Sequence, residues 1–333
     1  MKIAIPGRMR LLGGLAAVAA ACIGAGAAAQ DGTADYPNRP IRLIVAYPPG
    51  GPVDIVGRAV AQALSEKMGK AFVVDNRAGA SGIVGTDVAA KAQPDGYTLL
   101  LGSSANSILQ SLYAKLPYDA EHDLSMIGGI GSAPFVLVTG PQVPARSVAE
   151  LTALVKSQPG KTNYGSPGAG SPNHLSAELM KIMTGIDAVH VPYKGAAPAE
   201  TDLMGGQIMY MFDSIPSALP LVSTGRLHAL AVTSARRSPA APDIPTLAES
   251  GLKGFDTVTW YGLMGPAGLP PQIAQRLNAE LNKVLADPAF VQRMAGLGLE
   301  PMPGTPAQFS AFFGREKEKW ARIVKDANIR LEQ

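Results

Sequence analysis

The chain has 333 residues, of which 47% are hydrophobic and 6% aromatic, and it carries 29 basic and 26 acidic side chains. The hydrophobic content excludes a disordered chain, and the length predicts two lobes of roughly 100–200 residues each. Because Lys2, Arg8 and Arg10 account for the whole charge excess, residues 30–333 carry 26 residues of each sign. No nucleic-acid partner is therefore expected.

The N-terminal segment has the three parts of a secretory signal peptide. Residues 1–10 are basic, residues 11–23 are an apolar core, and small residues lead to Ala29. The apolar core is shorter than the ~20 residues that span a bilayer, so we expect an exported protein cleaved near Ala29. Cys22, the only cysteine, lies in this segment. The mature chain is then expected to lack disulfides and cysteine-bound metals, and an uncleaved anchor or lipidation of Cys22 are the alternatives.

Strands and helices alternate in the first part of the mature chain. A buried strand is predicted at residues 41–47, and apolar residues then recur at helical spacing from Val56 to Met68. Strands are also predicted at residues 71–75 and 97–101, with a short helix at residues 82–92 between them. This alternation predicts a parallel sheet with helical crossovers.

The same alternation restarts with an apolar strand at residues 135–138. Residues 234–254 are rich in proline, serine and alanine and predict a surface excursion. The remaining predicted elements are helices near residues 147–157, 175–183, 273–285 and 309–323, and strands near residues 161–164, 188–191, 208–212, 228–232 and 258–264.

Two glycine-rich turns share one pattern, YPPGGPVD at residues 47–54 and YGSPGAGSPNH at residues 164–174. Each follows a predicted strand and ends in a proline that suits the first helical position. Gly51 and Ser171 are the predicted N-caps. Amide groups without partners and the positive end of the helix dipole would let each turn hold a carboxylate. An ordinary strand-to-helix turn is the alternative in both cases.

The third helical position of each turn carries a polar side chain, Asp54 in the first and His174 in the second. Asp54 either caps backbone N–H groups or receives an ammonium or hydroxyl group of a ligand. Further candidates follow predicted strands, at the edge where ligands gather in parallel sheets. They are Ser103 with Ser104, Tyr193-Lys194-Gly195, and Asp213. Helix capping, a solvated lysine and local backbone capping are the respective alternatives.

Motifs of catalysis and cofactor binding are incomplete. The sequence contains no G-x-S-x-G elbow, no complete phosphate loop and no complete dinucleotide fingerprint. The four histidines, His122, His174, His190 and His228, are too widely spaced for a helical metal pair. We therefore expect a binding protein without cofactor or metal rather than an enzyme.

At these same residues the chain resembles the extracytoplasmic solute receptors of tripartite tricarboxylate transporters, also called the Bordetella uptake gene (Bug) family. The resemblance extends from about Tyr36 to Leu331. Seven ordered blocks carry it: YPNRPIRLIVAYPPGGPVD, VVDNRAGASGIVGTDVAAKAQPDGYTLL, NYGSPGAGSPNHL, VPYKGAAPAETDLMGGQI, FDS, IPTLAESGLKGF and WYGLMGPAGLP.

The resemblance implies an α/β, type II periplasmic-binding-protein fold, in which two α/β lobes joined by two crossing strands enclose a ligand cleft. The crossings are expected near residues 131–138 and 256–264. Lobe one would comprise residues 36–133 and 258–333, and lobe two residues 134–257. The residues implied to bind a ligand carboxylate and line the cleft are Tyr47, Gly51, Val53, Asp54 and Ser103 in lobe one, and Ser166, Gly170, Ser171, His174, Lys194, Gly195 and Asp213 in lobe two. Pro52 has no N–H group, so the donors of the first turn must be its neighbours.

The resemblance also implies a function, delivery of a small carboxylate by a monomeric periplasmic receptor to the membrane subunits of a tripartite transporter. Two alternatives stay open. A receptor of the same shape could signal to a sensor protein instead. A secreted serine hydrolase could use Ser103 or Ser166 with His174, because catalytic triads are defined in space rather than in sequence.

Overall fold

The computed structural model describes residues 1–4 and 35–330. Beyond its first four residues, the predicted signal peptide, with Cys22, lies outside the described residues. The chain divides into two units, Met1–Tyr36 and Pro37–Gln333, and the second unit contains all the strands and helices described below. Among the described residues, no helix combines the length and the apolar character needed to cross a membrane.

Strands and helices alternate along the second unit. The strands are β1 (Ile41–Val45), β2 (Phe72–Asn76), β3 (Thr98–Ser103), β4 (Leu124–Thr139), β5 (Asn163–Ser166), β6 (Val189–Pro192), β7 (Tyr210–Ser214), β8 (His228–Val232), β9 (Val258–Pro266) and β10 (Glu300–Pro301). The α-helices are α1 (Pro52–Met68), α2 (Ile83–Ala90), α3 (Ser104–Leu112), α4 (Val148–Lys156), α5 (Pro172–Thr184), α6 (Ala196–Met204), α7 (Ile215–Ser223), α8 (Pro271–Leu285), α9 (Pro288–Ala295) and α10 (Pro306–Asp326).

The strands form two α/β lobes. In one lobe β2, β1 and β3 are parallel neighbours, and in the other β6, β5 and β7 are parallel neighbours. Helical crossovers connect the strands in both, as the alternation predicts. Because the carboxyl ends of parallel strands share one edge, the segments that follow these strands collect along one edge of each lobe.

The chain crosses between the lobes along β4, and it returns to lobe one just before β9 begins, which gives the type II periplasmic-binding-protein fold with its cleft. Strand β4 pairs with β9 from Leu124 to Pro134 and with β7 and β8 from Phe135 onward. The change of partner supports the lobe boundary placed after residue 133, although the lobe limits stay a prediction.

Three parts of the fold were not predicted. The alternation suggested parallel strands alone, whereas β4, β8, β9 and β10 all pair antiparallel. Strand β4 is far longer than the predicted residues 135–138, because its first half contains glycines and bulges that interrupt the apolar pattern. Helices α3, α6, α7 and α9 were not predicted.

Each lobe has its own packed core. Trp260 lies fully buried in lobe one and meets Phe309 and Phe313 of α10 edge to face. In lobe two, Tyr164, Phe212 and their neighbours pack between the sheet and helices α4 and α5. A further cluster joins α3, α5 and α10 through Leu175 and Trp320. Helix α10 therefore packs against elements of both lobes.

Candidate functional site

Loop one, residues 46–51, connects β1 to the N-terminus of α1. Gly50 has φ = +85°, a left-handed conformation that glycine adopts without a side-chain clash. Gly51 is the N-cap and Pro52 the first helical residue, as predicted. The Gly50 N–H donates to Oδ2 of Asp54 at 2.9 Å, so the side chain of the third helical residue closes the turn.

Three amide groups of this turn remain for a ligand. Within the part of the chain that the structure describes, the N–H groups of Gly51, Val53 and Asp54 have no hydrogen-bond partner. They lie at the positive end of the α1 dipole. A Cβ on Gly51 would meet only the Pro48 carbonyl oxygen, at 3.8 Å, so the space beside this amide is open. An anion can therefore approach the backbone closely at this turn.

The Asp54 carboxylate is engaged within lobe one. Besides the Gly50 bond, Oδ2 accepts from Arg58 Nε at 2.9 Å, and Oδ1 accepts from Asn76 Nδ2 at 2.8 Å. The hydrogen bond from Arg58, together with the bonds from Gly50 and Asn76, lowers the pKa of Asp54 from 3.8 to about 2. Of the two roles predicted for Asp54, the structure shows the capping role.

Loop two, residues 167–171, connects β5 to α5 and repeats this geometry. Gly170 has φ = +76°. Ser171 is the N-cap and Pro172 the first helical residue, as predicted. The Gly170 N–H donates to Nδ1 of His174 at 3.0 Å. His174 thus takes the place in loop two that Asp54 takes in loop one, with an imidazole in place of a carboxylate.

The two serine hydroxyls of this turn are hydrogen-bonded within it. The Ser171 hydroxyl donates to the Gly168 carbonyl oxygen at 2.7 Å and accepts from the His174 N–H at 3.3 Å. Ser166 is fully buried, and its Oγ accepts from the Gly168 N–H at 3.2 Å. These hydroxyl groups hold the shape of loop two, and their predicted contact with a ligand stays a prediction.

In loop two, the backbone N–H groups without a partner do not include that of Gly170, which the family resemblance implied to bind the ligand. Because His174 occupies the Gly170 N–H, that group is not open to a ligand in this conformation. Of the described residues at this turn, Ala169 and Asn173 have N–H groups without a hydrogen-bond partner. Asn173 also donates its side-chain amide to the Phe212 carbonyl oxygen at 2.9 Å, which connects the start of α5 to the middle of β7.

Two histidine rings stack beneath loop two. The ring centroids of His174 and His190 lie 3.8 Å apart, and the planes differ by 8°. Nε2 of His190 lies 2.7 Å from Oγ of Ser166. Burial lowers the pKa of His174 to about 3 and that of His190 to about 4. Both rings are therefore neutral at pH 7.

Glu178 of α5 lies close to the stacked rings and contacts three polar side chains around them. It accepts from the Tyr164 hydroxyl and from Lys181 Nζ, the latter at 2.8 Å. Its Oε1 also lies 3.9 Å from Nε2 of His174. Burial first, and then the negative charge of Glu178, raise the pKa of Tyr164. The hydroxyl of Tyr164 therefore keeps its proton as the donor to Glu178.

Tyr47 and Ser103 line one small cavity next to loop one. The Tyr47 hydroxyl donates to the Ser81 carbonyl oxygen at 3.1 Å, and burial raises the pKa of Tyr47. Ser103 is the N-cap of α3, as its capping alternative supposed, and its N–H donates to Oδ1 of Asn106 at 2.8 Å. Tyr47 follows β1 and Ser103 is the last residue of β3, so both lie at the same carboxyl edge of the parallel sheet.

Lys194 and Gly195 follow β6 and lie beside loop two. Gly195 has φ = +116°, which requires glycine, and its N–H donates to the Pro167 carbonyl oxygen at 3.0 Å. Lys194 is exposed and forms no ion pair with any described residue. Its ammonium group is thus available at the rim of lobe two.

Asp213 lies at the carboxyl end of β7 and is fully buried. Its Oδ1 accepts from the Ser214 N–H at 2.7 Å, whereas Oδ2 has no hydrogen-bond partner in the described part of the chain. Burial first, and then the neighbouring Glu200, raise the pKa of Asp213 to about 7. At neutral pH this side chain is therefore partly protonated.

The structure thus groups the predicted residues into two sets, one at the carboxyl edge of each lobe. His190 and the free amides of Ala169 and Asn173 were not predicted from the sequence. His190 lies opposite Tyr164 in the β5–β6 register, which only the strand pairing reveals. Groups of three or more side chains able to hold a metal are absent from residues 1–4 and 35–330.

Comparison with known proteins identifies the family. The protein-family model described as "Tripartite tricarboxylate transporter family receptor" matches residues 56–329 of this sequence. The chain belongs to this receptor family. Its relative BugT of Bordetella pertussis is 39% identical over 309 residues, which cover 92% of this chain and 95% of BugT. The resemblance predicted from the seven sequence blocks is thereby confirmed.

Solved structures of similar proteins share the fold of this receptor. R. palustris Rpa4515 with adipate is 34% identical with a TM-score of 0.79, and the match covers 89% of this chain and 100% of Rpa4515. MatC from Rhodopseudomonas palustris with bound malate is 30% identical with a TM-score of 0.74, and the match covers 87% of this chain and 100% of MatC. The receptor is therefore a solute-binding protein, and both ligands are small carboxylates.

Proposed function

We propose that this receptor is a monomeric periplasmic protein that binds a small carboxylate between its lobes and delivers it to the membrane subunits of a tripartite transporter. The observation that carries the proposal is the matched pair of loops. Each loop ends at a helix N-terminus, each has a left-handed glycine before the N-cap, and each leaves backbone N–H groups without partners. A carboxylate in the cleft would complete both sets of hydrogen bonds.

The electrostatics of loop one favour backbone recognition over a side-chain ion pair. The Arg58 guanidinium is engaged by Asp54 and by Asn76, whose Oδ1 accepts from Nη2 at 3.0 Å. Hydrogen bonds to a charged acceptor contribute about 1.5–3 kcal/mol each. The three free amides of loop one can therefore hold a carboxylate without an arginine. Adipate in Rpa4515 and malate in MatC support this ligand class.

Closure on the ligand follows from the position of the two loops. One loop belongs to each lobe, so a carboxylate that contacts both stabilises the closed form over the open form. Asp213 and Lys194 would line the far end of the cleft in lobe two. The predicted signal peptide would bring the receptor to the periplasm, where membrane subunits could accept the solute.

The geometry favours a receptor over the serine hydrolase alternative. Nδ1 of His174 accepts a backbone N–H group, and the buried Ser166 hydroxyl faces His190 rather than His174. Ser103 caps a helix. A receptor that signals to a sensor would use the same cleft, and uptake measurements separate the two roles. Loss of solute uptake in a deletion strain would support transport, and loss of a transcriptional response alone would support sensing.

Calorimetry of the purified protein with adipate, malate and adipamide tests the ligand class. We expect the carboxylates to bind and the uncharged diamide to bind at least tenfold more weakly, because hydrogen bonds from the free N–H groups to a charged acceptor are stronger than those to a neutral one. Gly51→Val should weaken carboxylate binding at least tenfold and leave the fold intact, since a side chain there fills the ligand approach rather than the core. Gly314→Val in α10, where a Cβ meets nothing within 4 Å, is the matched control. Equal affinity of adipamide and adipate, or unchanged binding by Gly51→Val, would contradict the proposal.

A further inference from the structure

The acceptor role of His174 restricts its protonation. A backbone N–H group can only donate, so Nδ1 of His174 must offer a lone pair to Gly170. Protonation at Nδ1 would set two N–H groups against each other 3.0 Å apart. The conformation of Gly170 therefore requires a neutral His174 whose proton lies on Nε2, the nitrogen that faces Glu178.

The contacts of Ser166 assign the second ring. Its Oγ accepts from the Gly168 N–H and lies 3.0 Å from the Gly168 carbonyl oxygen and 2.7 Å from Nε2 of His190. A hydroxyl has one proton and two lone pairs. All three contacts are satisfied when Ser166 donates to the carbonyl and His190 donates from Nε2. His190 thus fixes the hydroxyl that holds the first part of loop two.

The surroundings keep both rings uncharged. Two imidazolium rings could not stack at 3.8 Å without strong repulsion. The titratable groups around the rings are Tyr164 of β5, Tyr210 of β7, and Glu178 and Lys181 of α5. Burial disfavours the charged form of both rings, and the positive charge of Lys181 adds to this effect, whereas the negative charge of Glu178 acts in the opposite direction on His190. The lowered pKa values of both histidines agree with this geometry.

We propose that the stacked rings of His174 and His190, which we call the stacked histidine pair, are positioning residues that hold loop two in its binding conformation as two neutral imidazoles. His174 acts through the Gly170 amide, and His190 acts through the Ser166 hydroxyl. The inference rests on the proposed function for its effect on binding, whereas the state of the rings can be measured without a ligand.

The ring state is tested by nuclear magnetic resonance of the unliganded, ¹⁵N-labelled protein between pH 8 and pH 4. We expect His174 to show a bare Nδ1 and a protonated Nε2 at pH 7, and His190 to be neutral. We expect neither ring to titrate near 6.5, the ordinary histidine value. A protonated Nδ1 on His174 at pH 7 would overturn the proposed role of the stacked histidine pair.

Binding is measured at pH 7 with adipate, because adipate itself becomes protonated in acid. His174→Leu should weaken binding about tenfold or more, since it removes the acceptor of the Gly170 amide. His174→Asn should restore most of the affinity, because its side-chain oxygen can take the place of Nδ1. His190→Leu and His190→Gln form the same pair for the Ser166 contact, and His122→Asn is the surface control.

The outcomes separate the two proposals. Equal affinity of His174→Leu and the unaltered protein for adipate would overturn the proposed role of the stacked histidine pair. Equal losses of affinity in His174→Leu and His174→Asn would overturn it as well. Failure of the unaltered protein to bind adipate or malate would count against the proposed function. In that case the protonation of the ring nitrogens, measured without a ligand, would still support or overturn the proposed role of the stacked histidine pair.

Discussion

The Thr233 hydroxyl accepts the Phe135 N–H at 2.8 Å and connects strand β4 to the segment that leads into β9. The same hydroxyl donates to the Thr257 carbonyl oxygen at 2.6 Å. The Thr257 hydroxyl lies 2.8 Å from Oγ of Ser176 on α5. Thr233, Thr257 and Ser176 are all fully buried. The helix that begins at loop two is thus hydrogen-bonded to the point where the chain passes between the lobes.

The two hydrogen bonds of the buried Thr233 hydroxyl predict a large loss of stability when that hydroxyl alone is removed. Thr233→Val keeps the side-chain shape but leaves the Phe135 N–H and the Thr257 carbonyl without that hydroxyl. Each unsatisfied buried group costs about 1–3 kcal/mol, so for the two groups we expect the free energy of unfolding to fall by about 2–6 kcal/mol. Urea denaturation measures this loss. Thr224→Val, at the exposed end of α7, should change stability by less than about 0.5 kcal/mol, and a similar value for Thr233→Val would contradict the role of its hydroxyl.

The carboxylate of loop one predicts an acid-sensitive contribution to stability. The pKa of Asp54 is about 2 in the folded protein and 3.8 without its partners. A lowered carboxyl pKa stabilises the fold fully above about pH 4, and the contribution is lost as the pH falls toward 2. We expect Asp54→Asn to reduce the free energy of unfolding by about 2 kcal/mol at pH 7 and by little near pH 2.

Urea denaturation of the Asp54 variant at several pH values gives this comparison. Glu280→Gln, which removes an ion pair with the exposed Lys283, is the control and should have little effect at either pH. A loss of stability by Asp54→Asn that is equal at pH 7 and at pH 2 would show that the charge is not the cause.

Asp213 predicts the opposite dependence on pH. Its pKa is raised to about 7 in the folded protein, so the folded state binds more protons than the unfolded state between about pH 4 and pH 7. Stability from this group is therefore present in acid and is lost as the pH rises through 7. Asp213→Asn retains an acceptor for the Ser214 N–H and cannot ionise.

We expect Asp213→Asn to match the unaltered protein near pH 4 and to exceed it by about 1–3 kcal/mol at pH 8. Thermal melting across this range is the measurement. A variant that is less stable at pH 8 than the unaltered protein would mean that the ionised carboxylate has a favourable partner.

The local parts of the site could be predicted from the sequence. Proline at a first helical position and a capping residue before it are local signals, and both helix starts were placed correctly at Gly51 and Ser171. The alternation of strands and helices likewise predicted parallel strands in both lobes. These features depend on residues close together in the chain, so short sequence patterns contain them.

The parts that failed depend on distant residues. His190 meets Ser166 only because β5 and β6 pair in one register, and no pattern at residue 190 specifies that register. The occupied Gly170 amide depends on the direction of the His174 ring, which the spacing of the residues does not determine. Strand β4 spans both lobes, so its apolar pattern changes where its partners change.

Two glycines of opposite environment give the last prediction. In α2, a Cβ on Gly85 would lie 2.7 Å from Ala46 of loop one and 2.8 Å from the Arg77 carbonyl oxygen. Gly85→Ala should therefore destabilise the protein by about 1–3 kcal/mol through overpacking. A Cβ on Gly314 meets nothing within 4 Å in the middle of α10, so Gly314→Ala should stabilise by about 0.5–1 kcal/mol. Thermal melting of both variants decides, and a destabilised Gly85→Ala should also weaken adipate binding, because the displaced Ala46 belongs to loop one.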